Sequence, residues 1–425
     1  MDKQNMEQFP EGQKDRYTLI INYPVLLAGG IETGLVAVMR HFLREGHRVI
    51  WITTREYSGN VAFKGLLDNP KLETVIWEKW SRMFGIPRIS FQKEERVIML
   101  SCCAMHYVIG EELKRRADVR EFKHYYLVSH FTGEEYYPDQ FMKTGLIKNA
   151  LYRYWQKILT RMVDNDCLRG FAPEHLENYE AYYHVSVPDK AQKILPDFDG
   201  GDMCFDVENT EAREKERSDR FVITTCSRFE FPHKAYILGL VDAFRRLKAN
   251  YPQVVLQIIG GGEGEAALRQ KIFTLPAEMQ KDIILTGVVS PDDLPGYYRN
   301  SHVIVGVAGA VATGAYCSIP SIVVRHYCDV CEAYGFYEDA WEKSLSEEPG
   351  EEITPLLEHC ITMSAEEYLR HGEEGFLVEL KDREAEPNYF FEQWDAKDTV
   401  TVQSLGDRLE GRLLYIITEL KNRFD

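Results

Sequence analysis

Five alternations of a short apolar segment with a helix-like segment run from residue 220 to residue 324, and they constrain the fold of this chain most. Continuous apolar runs such as Val254–Ile259 suit strands that are buried on both faces. Consecutive β-α units of this kind form a parallel sheet with right-handed crossovers. The predicted strands of this α/β unit are Phe221–Cys226, Val254–Ile259, Asp282–Thr286, Val303–Val305 and Ser321–Val324.

The first half has the same organisation. A strand at Tyr17–Asn22 precedes a helix from Glu32 to Glu45, whose apolar residues recur at helical spacing and which Gly46 ends. Further strands are predicted at Val49–Thr53, Thr74–Trp77, Arg96–Ser101 and His124–Ser129, and a further helix at Leu146–Met162. Ligands of doubly wound domains bind outside the carboxyl ends of the strands, so two such domains facing each other would enclose a cleft.

Breaks in composition indicate the domain boundaries. Residues 1–16 are predicted to be a flexible arm, 17–205 the first Rossmann-like domain, 206–402 the second, and 403–425 a helix that packs back across the domains. Asp197–Arg220 is rich in Gly, Asp, Glu and Lys and has few large apolar residues. We interpret it as an interdomain linker with a charged, exposed face.

Charge and composition exclude some classes of protein. The 425 residues include 50 Lys and Arg against 67 Asp and Glu, a net charge of −17, which disfavours nucleic acid as a partner. Residues 1–16 lack an apolar signal segment, and no run of 18 apolar residues occurs. The nine scattered cysteines suit thiols in a reducing compartment. We therefore expect a cytoplasmic protein.

Two cations in the turn after the first strand of the second domain are candidates for binding a diphosphate. Arg228 and Lys234 lie in the segment Ser227-Arg-Phe-Glu-Phe-Pro-His-Lys234, at the ligand end of a parallel sheet and ahead of a helix. The partly positive helix N-terminus and two cations would together hold a diphosphate. The alternative is that both side chains are solvated loop cations.

Glycines and one histidine mark other turns at the same edges of the sheets. Gly29 and Gly30 precede the first helix, and Gly306 and Gly309 follow the fourth strand of the second domain. Glycine in a β-α turn lets backbone N–H groups approach a phosphate, although a tight turn without a ligand is the alternative. His130 follows a predicted strand and could reach into the cleft, or it could be an ordinary loop histidine.

Three further patterns have weaker functional interpretations. Asp164 and Asp166 form a D-x-D pair that could bind a metal, but a surface turn is favoured. Cys328 and Cys331 with His326 could be half of a zinc site, but no second ligand pair has a suitable spacing. Lys143–Arg161 carries cations among apolar residues and could contact a membrane surface, although an ordinary domain helix is favoured.

Taken together, these motifs resemble the GT-B glycosyltransferases of family 4. The first half resembles the family opening in Gly29-Gly-Ile-Glu-Thr and in Gly46-His-Arg-Val. The second half resembles the family, and its capsule and exopolysaccharide enzymes in particular, in the same order along the chain. The similar segments are Ser227–Lys234, Ile258–Gly262, Leu285–Gly287, Asp293–Tyr298, Gly306–Thr313 and Ala315–Val323.

The resemblance implies a GT-B fold and a retaining transferase that moves a sugar from a nucleoside-diphosphate-sugar to an acceptor hydroxyl. It implies no cofactor and no obligatory metal, and a glycan or lipid-linked acceptor. Arg228 and Lys234 would neutralise the departing diphosphate, and His130 would contact the donor sugar. The glycines that match donor-binding positions are Gly29, Gly30, Gly261, Gly262, Gly287 and Gly309.

The chain departs from the family at two glutamates that usually precede the last strand of the parallel sheet. The position of the ribose-binding glutamate is taken by Thr313 and that of the other by Val305, and no acidic residue lies between residues 301 and 325. A hydroxyl binds a ribose less strongly than a carboxylate does. An active glycosyltransferase is therefore weighed against a catalytically degenerate partner subunit, and the Gly29-Gly30-Ile31-Glu32 opening disfavours a nucleotide-sugar epimerase.

Overall fold

The computed structural model describes residues 17–23, 30–55, 64–77, 86–102, 104–128, 145–170, 173–187, 207–290, 293–344, 346, 348–384 and 405–424. The elements up to residue 187 are β1 Tyr17–Asn22, α1 Gly30–Arg44, β2 Arg48–Thr53, α2 Lys64–Leu67, β3 Leu72–Ile76, β4 Arg96–Ser101, α3 Ala104–Arg116, β5 Glu121–Val128, α4 Leu146–Asp164, β6 Leu168–Gly170 and α5 Pro173–Tyr183.

The elements from residue 207 onward are α6 Val207–Glu216, β7 Phe221–Cys226, α7 Tyr236–Asn250, β8 Val254–Ile259, α8 Glu265–Phe273, α9 Ala277–Gln280, β9 Ile283–Gly287, α10 Leu294–Arg299, β10 Val303–Gly306, α11 Gly309–Tyr316, β11 Ser321–Val324, β12 Glu332–Phe336, α12 Tyr337–Ala340, β13 Glu351–Glu352, α13 Thr354–Thr362, α14 Ala365–Glu384 and α15 Leu405–Phe424.

The first sheet has the order β3-β2-β1-β4-β5-β6, and each of its strand pairs is parallel. Its central strands are buried on both faces, which is why their sequences are continuously apolar. The order reverses between β1 and β4, which pair up to Asn22 and Ser101, so the carboxyl ends of these two strands form the switch point of this sheet.

The second sheet has the order β13-β12-β11-β10-β7-β8-β9. The five predicted strands, β7 to β11, pair in parallel, which confirms the doubly wound prediction. The sequence analysis did not predict the antiparallel strands β12 and β13, which extend the edge beyond β11. Here the order reverses between β7 and β10, so the turns after Cys226 and Gly306 flank the switch point.

The strands predicted from apolar runs lie where the structure has them, with small shifts at the ends. β4, β7, β8 and β11 have the predicted bounds, whereas β5 begins at Glu121 rather than at His124. Strand β5 carries the buried polar residues Lys123 and His124, which interrupt the apolar pattern at its start. Hydrogen bonding to β4 from Arg96↔Glu121 onward includes them in the sheet.

Asp197–Arg220 was predicted to be a linker with a charged, exposed face, and its described part is a helix that also has a buried face. Residues 207–216 form helix α6, and the side chains of Arg213 and Arg217 are buried. Arg213 donates to the Ser318 carbonyl at 3.0 Å, and Arg217 donates to the Met363 carbonyl at 2.7 Å. These two guanidinium groups satisfy backbone carbonyls at helix ends and serve packing, whereas Glu211, Lys215 and Glu216 are exposed.

Helix α15 lies against helices α3 and α4 of the first half of the chain. Its Asp407 accepts from Lys157 at 2.8 Å and pairs with Arg161, and its Arg412 donates to Glu112 at 3.0 Å. Two cations of the segment considered for membrane contact, Lys157 and Arg161, are therefore paired within the chain. No helix among the described residues is long and apolar enough to cross a bilayer.

Candidate active site

The turn after β7 is locked against the loop after β8 by main-chain hydrogen bonds. The Phe229 N–H donates to the Gly261 carbonyl at 2.9 Å, and the Gly264 N–H donates to the Phe229 carbonyl at 2.8 Å. The Phe229 ring is buried in the core of the second domain. Because Phe229 anchors the turn from inside, its neighbour Arg228 is presented on the outside, at the carboxyl edge of the sheet.

Glycines are required where these two loops meet. Gly260 has φ +135°, and a Cβ there would lie 1.8 Å from the Ser227 carbonyl oxygen. Gly262 has φ +149°, and a Cβ there would lie 3.0 Å from the Phe229 backbone. Both values of φ are strained for other residues. The structure thus gives Gly262 a reason in packing, while its predicted contact with a donor stays a prediction.

Arg228 and Lys234 lie on the same short turn, as the sequence predicted. Arg228 is exposed and forms a 3.1 Å ion pair with Glu230. Burial and, to a lesser extent, the charge of Arg228 lower the pKa of Lys234 to about 8, against a smaller opposite effect of Glu230. A lysine whose charged form is destabilised in this way would gain from an anion that contacts both cations.

His233, which the sequence analysis did not single out, lies beside Lys234. Burial, with the charges of Lys234, His326 and Arg228, lowers the pKa of His233 to about 3. Its ring stacks on Tyr327 with centroids 4.6 Å apart, and the Tyr327 N–H donates to the His233 carbonyl. Because the imidazole is neutral in this position, the positive charges of the turn are those of Arg228 and Lys234.

The loop after β10 lies on the other side of the switch point. Ala308 has φ +48°, and Gly309 begins helix α11 with no atom within 4 Å of the position that a Cβ would take. One turn along the helix, the Thr313 hydroxyl donates to the Gly309 carbonyl at 2.7 Å. This bond uses the only proton of the hydroxyl, which leaves its oxygen as an acceptor toward a ligand.

The remaining glycines of the second half differ in their surroundings. Gly287 has φ +75°, and its carbonyl accepts from the Gly260 N–H at 2.9 Å, so it helps to place the loop after β8. A Cβ at Gly261 would lie 3.0 Å from Val288. Gly261, Gly287 and Gly309 all lie at the carboxyl edge of the second sheet, and their contacts with a donor stay predictions.

An acidic residue of the first domain faces the cation turn. Glu32 lies in the first turn of α1, is buried, and accepts from the Tyr23 hydroxyl at 3.1 Å. Burial raises the pKa of Glu32, and the charge of Arg228 counteracts this effect. The start of α1 and the turn after β7 are therefore close enough for their charges to interact. Glu32 belongs to the Gly29-Gly30-Ile31-Glu32 motif, but the sequence predicted no role for it.

A buried polar network lies at the switch point of the first sheet. His124 contacts Glu111 through Nδ1 and Ser101 through Nε2, each at 2.8 Å, and Asn22 Nδ2 donates to Ser101 Oγ at 3.0 Å. Burial lowers the pKa of His124. The arrangement is that of a serine nucleophile with its base, but all four side chains are fully buried, so we assign it to anchoring the ends of β1 and β4.

Several residues predicted from sequence have other surroundings or lie outside the described residues. Gly29 and His130 are not among the described residues, and Gly30 begins α1. Asp166, of the D-x-D pair, accepts from Arg169 at 3.0 Å in the turn before β6. Burial raises the pKa of the thiols of Cys328 and Cys331, which disfavours the thiolate form that a zinc site needs.

A segment of the chain that contains this site matches a known protein family. Residues 206–314 match the family model described as "Glycosyl transferases group 1", which is about a quarter of the chain. The matched range runs from the start of α6 into α11 and includes Arg228, Lys234 and Thr313. No curated protein matches the chain.

Solved structures of glycosyltransferases share the whole architecture. Anabaena HepE in complex with UDP-glucose has a TM-score of 0.59 at 13% identity, over 90% of this chain and 100% of that chain. The chain has the GT-B fold. Other GT-B structures similar to it are a glycosyltransferase from Rickettsia africae (TM-score 0.55, 14% identity, 90% and 100% covered) and sucrose-phosphate synthase from Thermosynechococcus elongatus (0.56, 14%, 90% and 100%).

In the GT-B fold of this chain, described residues of both domains contribute to the same region. The second domain contributes Arg228, Lys234 and the start of α11, and the first contributes Glu32 at the start of α1. At such low identities the solved structures establish the fold alone. The assignment of a reaction depends on the residues of the site.

Proposed function

We propose that this chain is a retaining glycosyltransferase of the family 4 type, which moves a sugar from a nucleoside-diphosphate-sugar to an acceptor hydroxyl. The observation that carries the proposal is the pair of cations after β7. Lys234 is half-buried beside Arg228 with its pKa lowered to about 8, at a switch point where doubly wound domains bind ligands. A diphosphate is the ligand that satisfies two adjacent cations in such a place.

In this mechanism the two cations act on the leaving group. As the bond between the anomeric carbon and the diphosphate oxygen breaks, negative charge develops on the diphosphate. Arg228 and Lys234 stabilise that charge, an effect worth about 3 to 4 kcal/mol for a single well-placed group. The acceptor hydroxyl attacks the anomeric carbon on the face that the diphosphate leaves, which retains the configuration, and its proton passes to the departing diphosphate. The mechanism therefore needs no protein nucleophile, and we propose that it needs no metal and no cofactor.

We propose that the ribose lies near the start of α11 and the donor sugar between the two domains. The Thr313 hydroxyl donates a hydrogen bond to the Gly309 carbonyl, so its oxygen can accept a hydrogen bond from a ligand in this region. HepE was solved with UDP and with UDP-glucose, so UDP-glucose is the first donor to test. The proposed acceptor is a glycan or lipid-linked hydroxyl in surface polysaccharide or glycan biosynthesis, in the cytoplasm.

The proposal is tested with the purified full chain and a panel of nucleotide-sugars. Thermal shift identifies the donors that bind, and release of the nucleoside diphosphate with and without a glycan acceptor panel measures turnover. Nuclear magnetic resonance of the product assigns the anomeric configuration. Binding of at least one donor, turnover that EDTA does not abolish and retention of configuration are expected. Inversion of configuration would contradict the retaining mechanism, and absence of any nucleotide binding would contradict the donor site.

A second candidate is a catalytically degenerate GT-B protein that binds a donor or a partner subunit. The absence of acidic residues between residues 301 and 325 favours it, because Thr313 and Val305 stand where the family has glutamates. Nucleotide-sugar binding without turnover over the full acceptor panel would favour this candidate over the active enzyme.

For the segment 143–161 we propose an ordinary domain helix rather than a membrane contact. Lys157 and Arg161 pair with Asp407 on α15, and Lys157 also lies 2.8 Å from Glu410. These bonds leave less cationic surface for anionic lipid. Sedimentation with anionic vesicles tests this assignment, and co-sedimentation that Lys157→Gln abolishes would contradict it.

A further inference from the structure

We infer that the outer helical layer of the second domain contains a zinc-class metal site formed by His359, Glu367 and His371. One ligand atom from each of these residues lies within 4.8 Å of the other two. The His359 Nε2 and Glu367 Oε1 atoms are 3.1 Å apart. Two imidazoles and a carboxylate are the donor set that zinc and neighbouring transition metals prefer.

Two of the three ligands lie on α14, and the third lies on the helix before it. Glu367, His371 and Glu374 have the spacing i, i+4 and i+7 on α14, so they share one face of that helix. His359 lies in the last turn of α13, directly before α14. A metal here would join the two helices across their short connection.

Glu338 holds His371 in the orientation that metal binding requires. Glu338, on α12, pairs with His371 Nδ1, and the Phe336 ring stacks on the imidazole with centroids 3.7 Å apart. Arg370 Nη2 lies 3.2 Å from His371 Nε2. Because a guanidinium can only donate, Nε2 is an acceptor and Nδ1 carries the proton that the carboxylate accepts. A histidine ligand held by a carboxylate through its other nitrogen is typical of zinc sites.

A second observation concerns Glu338, the residue that holds His371: one of its carboxylate oxygens is buried without a partner in the described part of the chain. Glu338 Oε2 is buried and has no hydrogen-bond donor among the described residues, and the whole side chain is only 7% exposed. Glu338, His371 and Glu374 form a second overlapping group whose ligand atoms lie within 4.8 Å of one another. Three carboxylates with one arginine leave an excess of negative charge that a divalent cation would balance.

Arg370 is the competitor of the metal in this arrangement. It donates to Glu374 Oε2 at 2.6 Å as well as approaching His371 Nε2, and its side chain is 49% exposed. Arg370 can therefore turn toward solvent when a metal binds. This movement frees His371 Nε2 and the Glu374 carboxylate at the same time. Its removal should strengthen metal binding, an effect that no purely structural role of the cluster predicts.

The site would fix the layer that supports the donor-side helix α11. A Cβ at Gly375 of α14 would lie 3.5 Å from the Ala315 Cβ, and Phe376 stacks on Tyr316 of α11 with centroids 5.6 Å apart. A metal that joins α13 and α14, with Glu338 of α12 bonded to its ligand His371, would thus hold the helices behind α11. Its role is structural, and it places no metal on the reacting atoms.

The test uses the full chain without nucleotide, stripped with EDTA and then freed of the chelator. Calorimetric titration with Zn²⁺ should show one site per chain and a higher Tm, and Co²⁺ should give visible d–d bands of nitrogen and oxygen ligation without thiolate charge-transfer bands. His359→Gln should weaken binding by about tenfold or more. Arg370→Met should tighten it by about threefold or more. Glu373→Gln, an exposed neighbour on α14, should bind as the wild type does.

His359→Gln is the decisive variant because its side chain is 45% exposed and its loss should not impair folding, which circular dichroism checks. Failure of Zn²⁺ to saturate one site, or unchanged affinity in folded His359→Gln, would overturn the inference. Thiolate bands with Co²⁺ would also overturn it, since they would place the metal on cysteines. These readouts contain no nucleotide and no transfer, so they stand apart from the outcome of the proposed reaction.

Discussion

The Arg228 guanidinium lies 3.1 Å from the carboxylate of Glu230, two residues along the same turn. Both side chains are 43% exposed, so the pair is weak and a diphosphate can replace the carboxylate. The turn after β7 therefore carries an internal competitor of its proposed ligand. Glu230 also raises the pKa of Lys234 slightly, against the effects of burial and of Arg228.

Glu230→Gln should tighten the binding of UDP, by about two- to fivefold at low salt, because it removes a carboxylate that competes for Arg228. Isothermal titration calorimetry at two salt concentrations measures the effect, which should shrink as salt rises. Glu278→Gln is the matched control, since Glu278 is an exposed partner of Lys281 outside this turn. Weaker binding in Glu230→Gln would show that the acid supports the site instead of competing.

Arg228→Ala should lower kcat at least about tenfold, because the leaving diphosphate loses one of its two cations. Initial rates of diphosphate release at saturating donor measure it. Arg245→Ala, at an exposed arginine of α7 paired only loosely with Asp242 at 3.9 Å, controls for loss of surface charge. An unchanged rate would remove Arg228 from the donor site.

Donor binding should weaken as pH rises through about 8, because Lys234 then loses its proton in the nucleotide-free protein. The pKa of Lys234 is lowered from 10.5 to about 8, so the lysine is charged below pH 8 and neutral above it. A bound diphosphate favours the charged form, so binding takes up a proton above pH 8. Calorimetry of UDP binding between pH 6.5 and 9.5, in buffers of different ionisation enthalpy, measures both the affinity and the proton uptake.

Lys234→Met supplies the control for this pH profile. It should bind UDP more weakly at pH 7 and lose the step near pH 8, with no proton uptake. A pH step that persists in Lys234→Met would assign the titration to another group, and a flat profile in the wild type would contradict the lowered pKa.

Gly260→Ala should destabilise the second domain by roughly 2 to 4 kcal/mol, because the new Cβ would lie 1.8 Å from the Ser227 carbonyl at φ +135°. The loops after β7 and β8 could then not keep their spacing, so UDP binding should fall as well. Gly296→Ala, in α10 with nothing within 4 Å of its Cβ position, should leave stability unchanged or raise it by about 0.5 to 1 kcal/mol. Urea unfolding measures both. If Gly260→Ala were as stable as Gly296→Ala, the result would contradict the packing argument.

Thr313→Glu should tighten UDP binding by several fold if the ribose lies at the start of α11, because a carboxylate accepts hydroxyl protons more strongly than a hydroxyl does. Thr313→Val, which removes the hydroxyl at equal size, should weaken binding. Calorimetry compares UDP with 2′-deoxy-UDP. If neither variant changes the preference for UDP over the deoxy form, the ribose lies elsewhere.

The sequence alone determined the number of domains, the parallel sheets and the place of the cation turn. Strands such as β7 and β8 were predictable because they are buried on both faces, which makes their sequences continuously apolar. Arg228 and Lys234 were predictable as a pair, since any turn after the first strand of a doubly wound sheet lies at its ligand edge. The five parallel strands of the second sheet confirm the predicted sheet, while the role of the two cations stays a prediction.

Only the tertiary structure decided how charge is used. Arg213 and Arg217 look like solvated linker residues in sequence, but they donate to carbonyls far away in the chain, at Ser318 and Met363. Glu32 faces Arg228 from another domain, and no local pattern predicts such a contact. Periodicity reports which faces of an element are apolar, whereas partners of buried polar groups depend on how distant segments pack. The acidic residues of the site, the pairing of its cations and the reason for its glycines are therefore visible only in the tertiary structure.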